Sequence, residues 1–130
     1  FSPSQAFHDC FNLKRINFPD SLKQIGSYAF EKSGLKKLIF KKGSRIKFIG
    51  DWAFLQCQEL KVVRLPANLT EIRFNAFRSS GLEKVIFRKG SKLKTIGSYA
   101  FFGNVNLETI NIPPGVVIEE QAFKETGCRA

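Results

Sequence analysis

Apolar residues recur along this chain with a period far longer than that of a helix or a strand. The dipeptide Ala-Phe supplies the ruler: Ala6-Phe7, Ala29-Phe30, Ala53-Phe54, Ala76-Phe77, Ala100-Phe101 and Ala122-Phe123, at spacings of 23, 24, 23, 24 and 22 residues. Five or six residues after each Phe comes Leu13, Leu35, Leu60, Leu82 or Leu107, with Cys128 in the sixth copy. Three further on lie Ile16, Leu38, Val63, Val85 and Ile110, and two beyond those Phe18, Phe40, Leu65, Phe87 and Ile112. A second apolar pair closes each unit: Leu22/Ile25, Ile46/Ile49, Leu69/Ile72, Leu93/Ile96 and Val116/Ile118. A fixed period of this length is the mark of a stacked-repeat architecture.

The pattern inside one unit predicts its local structure. The last two apolar positions of the L-x-x-I-x-F motif are two apart, so the motif ends in a short strand with one face inward. Pro19, Pro66 and Pro113 follow directly and cannot continue a ladder, so the strand stops there. In the alternate units Gly43-Ser44 and Gly90-Ser91 make the turn instead, with two extra residues. The second apolar pair reads as another short extended piece, with a tight bend at Gly26, Gly50 and Gly97. The stretch beginning at Ala-Phe reads as a single helical or 3₁₀ turn. One unit cannot close a core alone, and stacking gives each Leu, Ile and Phe a neighbour above and below.

A longer period lies over the first. Ser33–Gly50 and Ser80–Gly97 are identical at 12 of 18 positions, and two units together span 47 residues. One half of this super-repeat carries the proline turn and the other a lysine-rich glycine turn.

The run from Phe7 through Cys10, Leu13, Leu22, Ile25 and Gly26 to Ala29-Phe30 resembles the BspA-type class of leucine-rich repeats, and the resemblance covers essentially the whole chain. It implies a leucine-rich-repeat solenoid, a right-handed superhelix with strands along one curved face. It also implies kinship with bacterial surface adhesins and with the repeat expansions of protists such as trichomonads. The class is a scaffold, so function follows from it only by analogy. Residues 1–130 are expected to form a single repeat domain. The chain contains no Met and ends abruptly, so we expect a piece of a longer solenoid without end caps, prone to associate through its ends.

Composition narrows the partner class. Lys and Arg number 21 against 11 Asp and Glu, a net charge of +10. Such a field favours acidic partners: anionic glycan, acidic protein tails such as those of tubulin, nucleic acid or anionic lipid. Nucleic acid fits least, because aromatic residues are not interleaved with the basic ones as base stacking requires. Within these 130 residues no signal peptide is recognisable and no apolar run reaches membrane-spanning length, which describes this stretch and not a longer parent.

Neither catalysis nor metal or cofactor binding finds support. Cys10 and Cys57 share one repeat position, where the other units carry Ser33, Ser80, Asn104 and Thr126, as for a small structural thiol. Two rungs at ~4.8 Å each would hold these two thiols too far apart for a disulfide. His8 is the only histidine and has no Cys or Ser partner at catalytic or metal-ligand spacing. The sequon at Asn68 would carry a glycan only in a secreted parent.

Three sets of residues are candidates for contact. Lys41, Lys42, Arg45 and Lys47 surround one glycine turn, and Arg88, Lys89, Lys92 and Lys94 the other. In register they form a basic ladder with steps of ~10 Å, close to a Debye length. This ladder reads either as a solvated face or as a grip on an acidic partner. The strand face offers Ile39, Arg64 and Ile86, with the isoleucines expected to be exposed. Tyr28, Trp52 and Tyr99 precede their Ala-Phe pairs, either stacked between rungs as structure or presented as contact anchors. The resulting expectation is a non-catalytic interaction or adhesion scaffold of surface-antigen type. Its alternative is an intracellular structural protein docked on an acidic assembly such as microtubules.

Overall fold

A computed structural model describes residues 13–128, so Cys10, His8 and the first Ala-Phe pair lie outside the described residues. Among the described residues nine short strands form, all paired in parallel. Four longer ones are β1 (Arg15–Phe18), β3 (Lys37–Phe40), β5 (Val62–Leu65) and β7 (Lys84–Phe87). Five shorter ones are β2 (Gln24–Ile25), β4 (Phe48–Ile49), β6 (Glu71–Ile72), β8 (Thr95–Ile96) and β9 (Val117–Ile118). The short strands make one five-stranded sheet in the order β2-β4-β6-β8-β9. The result is the β-solenoid of about five turns that the repeat requires.

The core is what the apolar register predicts. Phe30, Phe54, Phe77 and Phe101 are at most 1% exposed and stack in one column through the molecule. Their ring centroids are 5.2, 5.1 and 5.5 Å apart, the rings within 8° of parallel, and Phe123 extends the column at 5.3 Å. Leu35, Leu60, Leu82 and Leu107 form a second buried column and Ile25, Ile49, Ile72 and Ile96 a third. Burying one such side chain contributes roughly 1.5–3 kcal/mol. Identical residues on successive rungs therefore make each unit's stability depend on its neighbours.

The Ala-Phe stretch forms a ladder of turns instead of a helix. Ala29, Glu31 and Ser33 donate their N–H groups three residues back, to Gly26, Tyr28 and Phe30, as in 3₁₀ structure. The residues between them, Tyr28, Phe30 and Lys32, donate to the next rung at 3.0, 2.8 and 2.7 Å. Interleaving the two sets places Tyr28 and Lys32 in left-handed backbone, at φ 59° and 57°. Trp52 and Gln56, Asn75 and Ser79, Tyr99 and Gly103, and Gln121 and Glu125 repeat the arrangement. A left-handed residue with a side chain costs about 1–2 kcal/mol, and here the inter-rung hydrogen bonds offset it.

The side chain three residues after Phe54, Phe77 and Phe101 locks this ladder. The Cys57 thiol donates to the Phe30 carbonyl at 3.1 Å, the Ser80 hydroxyl to Phe54 at 2.6 Å and the Asn104 amide to Phe77 at 2.8 Å. A small donor is needed because the position is buried and each carbonyl lies one rung away. The glycines after the second apolar pair at Gly50 and Gly97 serve close approach between rungs. A Cβ on Gly50 would stand 2.8 Å from the Ile25 carbonyl oxygen, to which Gly50 itself donates.

The longer strands do not form one continuous sheet. β1 pairs with β3 and β5 with β7, but no backbone hydrogen bond joins β3 to β5. The strand face expected from the resemblance is thus divided into pairs. One extra residue in the proline-turn units accounts for the division. Before β5 the chain runs Cys57-Gln58-Glu59-Leu60 and makes a turn closed by Leu60 N–H on the Cys57 carbonyl at 3.1 Å. Before β3 and β7 it runs directly through Ser-Gly-Leu. The turn at Gln58 leans on the following unit: a Cβ at Gly81 would collide with the Gln58 carbonyl, and Gly81 N–H bonds the Cys57 carbonyl. β5 is thereby drawn towards β7 and away from β3. The same turn recurs at Asn104–Leu107, and β7 likewise has no strand partner on its far side.

Candidate functional site

The glycine turns carry their cations outward. Lys41, Lys42, Arg45, Lys47, Lys89, Lys92 and Lys94 are exposed, and from Lys32 to Gly50 there are seven basic residues and no acid. Arg88 departs from the set. It is half-buried, and its Nη2 donates to the Phe40 carbonyl at 2.9 Å while its Nε is buried without a partner. Phe40 lies at the unpaired edge of β3, so Arg88 caps a carbonyl that a continuous sheet would have used. That bond also ties the two glycine turns together across the intervening proline turn.

The strand face holds a cleft where the ladder is broken. About 400 Å³ of space lies between the β1/β3 pair and β5, lined by Arg15, Lys36, Lys37, Lys61 and Arg64 over Leu38, Ile39 and Val62. In a parallel ladder, alternate residues point their N–H and C=O groups to opposite neighbours. The backbone groups of Val62 and Arg64 therefore face the gap, those of Val63 and Leu65 face β7. Ile39 and Ile86 are half-buried here, contrary to the exposure expected of them, because each forms part of a cleft wall. Val62, 42% exposed, offers apolar surface to solvent within this cleft. Glu59 is the acid beside this group, 3.2 Å from Lys14 and 3.8 Å from Lys36 with all three half-exposed, which makes for weak pairing.

The aromatic residues before the Ala-Phe pairs do stack, and more residues join them than the repeat suggests. Tyr28 lies parallel to Trp52 at 5.9 Å. Phe74 stands edge-on to Trp52 at 5.4 Å and to Tyr99 at 6.2 Å. Arg78 lies over Phe102 at 4.5 Å, and Phe102 packs against Tyr99. Neither Phe74 nor Phe102 occupies a repeating aromatic position, so periodicity alone does not find them.

Two chemical candidates acquire structural explanations. Burial pushes the Cys57 thiol from its ordinary 9.0 up to about 11, against the lowering effect of its hydrogen bonds to Ser33. A protonated, buried thiol is a poor nucleophile. The Asn68 amide nitrogen donates to the Ser44 carbonyl at 2.9 Å, a rung-to-rung bond that a glycan on that atom would disturb. Among the described residues no group of three or more His, Cys, Asp or Glu is placed to hold a metal ion. No helix there is long and apolar enough to cross a membrane.

Comparison with known proteins agrees with this geometry. The BspA type leucine rich repeat region matches residues 3–129 in six copies. Comparison with curated proteins returns no significant match. Among solved structures the chain is similar to the pneumococcal vaccine antigen PcpA, at 31% identity and a TM-score of 0.67 over 78% of this chain. The match spans 31% of that protein's length. Six repeat copies matched across residues 3–129, with residues 13–128 folded into stacked parallel rungs, place the chain in the BspA-type leucine-rich-repeat family.

Proposed function

We propose that this chain is a non-catalytic interaction scaffold of surface-antigen type, gripping an acidic protein or anionic glycan through its glycine-turn ladder and strand face. The supporting observation is the set of seven exposed cations on the two glycine turns, which Arg88 ties together. Charge held on a rigid frame attracts an acidic surface at little cost in ordering. Similarity to a bacterial vaccine antigen supports the surface-antigen part of the reading.

The test is binding to heparin and to an acidic protein tail as a function of salt. Each exposed ion pair is worth roughly 0.2–1 kcal/mol, so changing Lys41, Lys42, Lys89 and Lys92 to Ser should weaken binding by about tenfold near 50 mM salt. The difference should shrink as salt rises. Unchanged affinity and salt slope in that variant would make the ladder a solvated face.

A further inference from the structure

The broken ladder occurs twice, and its two occurrences differ in chemistry. Moving one super-repeat of 47 residues along the chain carries the β3/β5 cleft onto a second one beyond β7, lined by Lys84, Val85, Ile86, Phe87 and residues 109–111. The apolar register is the same at both places, although residues 109–112 form no strand where β5 does, and the side chains differ. Arg15, Lys36, Lys61 and Arg64 of the first cleft become Val62, Glu83, Glu108 and Asn111 at the second, and only Lys37 keeps its charge, as Lys84. The second cleft encloses about 130 Å³ against about 400 Å³ in the first. Solenoid stacking thus works with either set of residues and does not require five cations around the first cleft.

We infer that the β3/β5 cleft is a binding site for an acidic, partly apolar peptide segment of a protein partner. Arg15, Lys37, Lys61 and Arg64 would pair with its carboxylates, and Ile39 and Val62 would seat an apolar side chain between them. The inference rests on the scaffold reading above but not on the glycine-turn ladder, which lies on a different edge of the molecule. Three features favour a peptide. Arginine forks suit carboxylates in bidentate geometry. The floor between the cations is apolar, which a sulfated sugar would leave unused. A cleft of about 400 Å³ falls within the range of discrete ligand sites, whereas a polyanion merely follows a charged surface.

The internal duplicate supplies the test. Lys36→Glu with Lys61→Glu copies Glu83 and Glu108, residues the fold already carries at the equivalent positions, and because the exposed Lys36–Glu59 pair that it removes is weak, its thermal unfolding should stay close to the parent's. The probes are a short fluorescent peptide alternating Glu with Leu, a polyglutamate peptide of equal length, and a heparin oligosaccharide. The Glu/Leu peptide should bind saturably to the parent, more tightly than polyglutamate. It should lose about tenfold or more in the double-Glu variant and change less than about twofold when Lys89 and Lys92 become Ser. Val62→Ser should weaken the Glu/Leu peptide and spare polyglutamate. The inference is overturned if the Glu/Leu peptide fails to saturate, if the ladder variant loses as much as the cleft variant, or if heparin displaces the peptide and proves the tighter cleft ligand. Loss confined to the ladder variant would remove the cleft and leave the ladder reading standing. Loss confined to the cleft variant supports the cleft and leaves the ladder to be decided by its own binding to heparin and its salt dependence.

Discussion

The short-strand sheet and the long-strand face stack the same rungs and arrive at different outcomes. On the first, β2, β4, β6, β8 and β9 pair without interruption, and the turn ladder beside them continues rung to rung. On the second, the strands pair in twos and the gap between β3 and β5 is open and lined with cations. The core columns run through both, so burial alone does not decide the difference. What differs is chain length between anchors. Cys57-Gln58-Glu59-Leu60 has one residue more than Ser33-Gly34-Leu35, and the surplus falls on the long-strand side. Continuity therefore serves stability on one side, while alternation creates recesses on the other.

The continuous side should carry most of the stability. Phe77 is fully buried between Phe54 and Phe101, so Phe77→Ala should cost about 3–5 kcal/mol in chemical denaturation. Ile86→Ala, at the half-buried wall of the second cleft, should cost only about 1–2 kcal/mol. Equal costs would mean that the continuous side holds no larger share of the stability than the long-strand face.

A pH-dependent effect on the same side follows from Cys57. Its thiol titrates near 9.0 when unfolded and near 11 when folded, so the unfolded chain releases the proton first as pH rises. Its contribution is complete below pH 9.0 and is lost as pH rises through about 11, approaching about 3 kcal/mol. Cys57→Ser keeps a donor for Phe30 and removes the titration. Unfolding measured from pH 8 to 11 should fall more steeply for the parent, and parallel curves would refute this account of the thiol.

The contact that draws β5 towards β7 can be tested at Gly81. A methyl group there meets the Gln58 carbonyl, so Gly81→Ala should cost about 1–3 kcal/mol and alter backbone chemical shifts in β5 and β7. A silent substitution would mean that the Gln58 turn does not position β5. The smallest effect is expected at Arg88. Arg88→Ala removes its bond to Phe40 but also removes a buried unpartnered Nε, leaving a net loss within about 1 kcal/mol.

Much of this fold can be read from residue order, because a repeat states the same local rule several times. The Phe, Leu and Ile columns, the strand ends at proline and the small residue three after Phe all follow from recurrence, while the hydrogen bond that this residue donates to the preceding rung does not. Other features depend on how one rung meets the next. Tyr28 and Trp52 give no local sign of a left-handed backbone, since it arises from alternating bonds within and between rungs. The one-residue surplus at Gln58-Glu59 is visible in the spacing, but its effect on β5 requires the contact with Gly81. Arg88 looks like one more ladder cation until the uncapped Phe40 carbonyl appears beside it. Arg15, Lys36, Lys37 and Lys61 are scattered in sequence, and only the gap gathers them with Arg64.

A strand ladder broken between β3 and β5 leaves its mark on amide hydrogen exchange. The N–H groups of Val62 and Arg64 face the gap, while those of Lys84 and Ile86 pair with β5. In the native protein Val62 and Arg64 should exchange at least about tenfold faster than Lys84 and Ile86. Equal protection of the four amides would mean that the ladder is continuous and that no cleft stands between the two strand pairs.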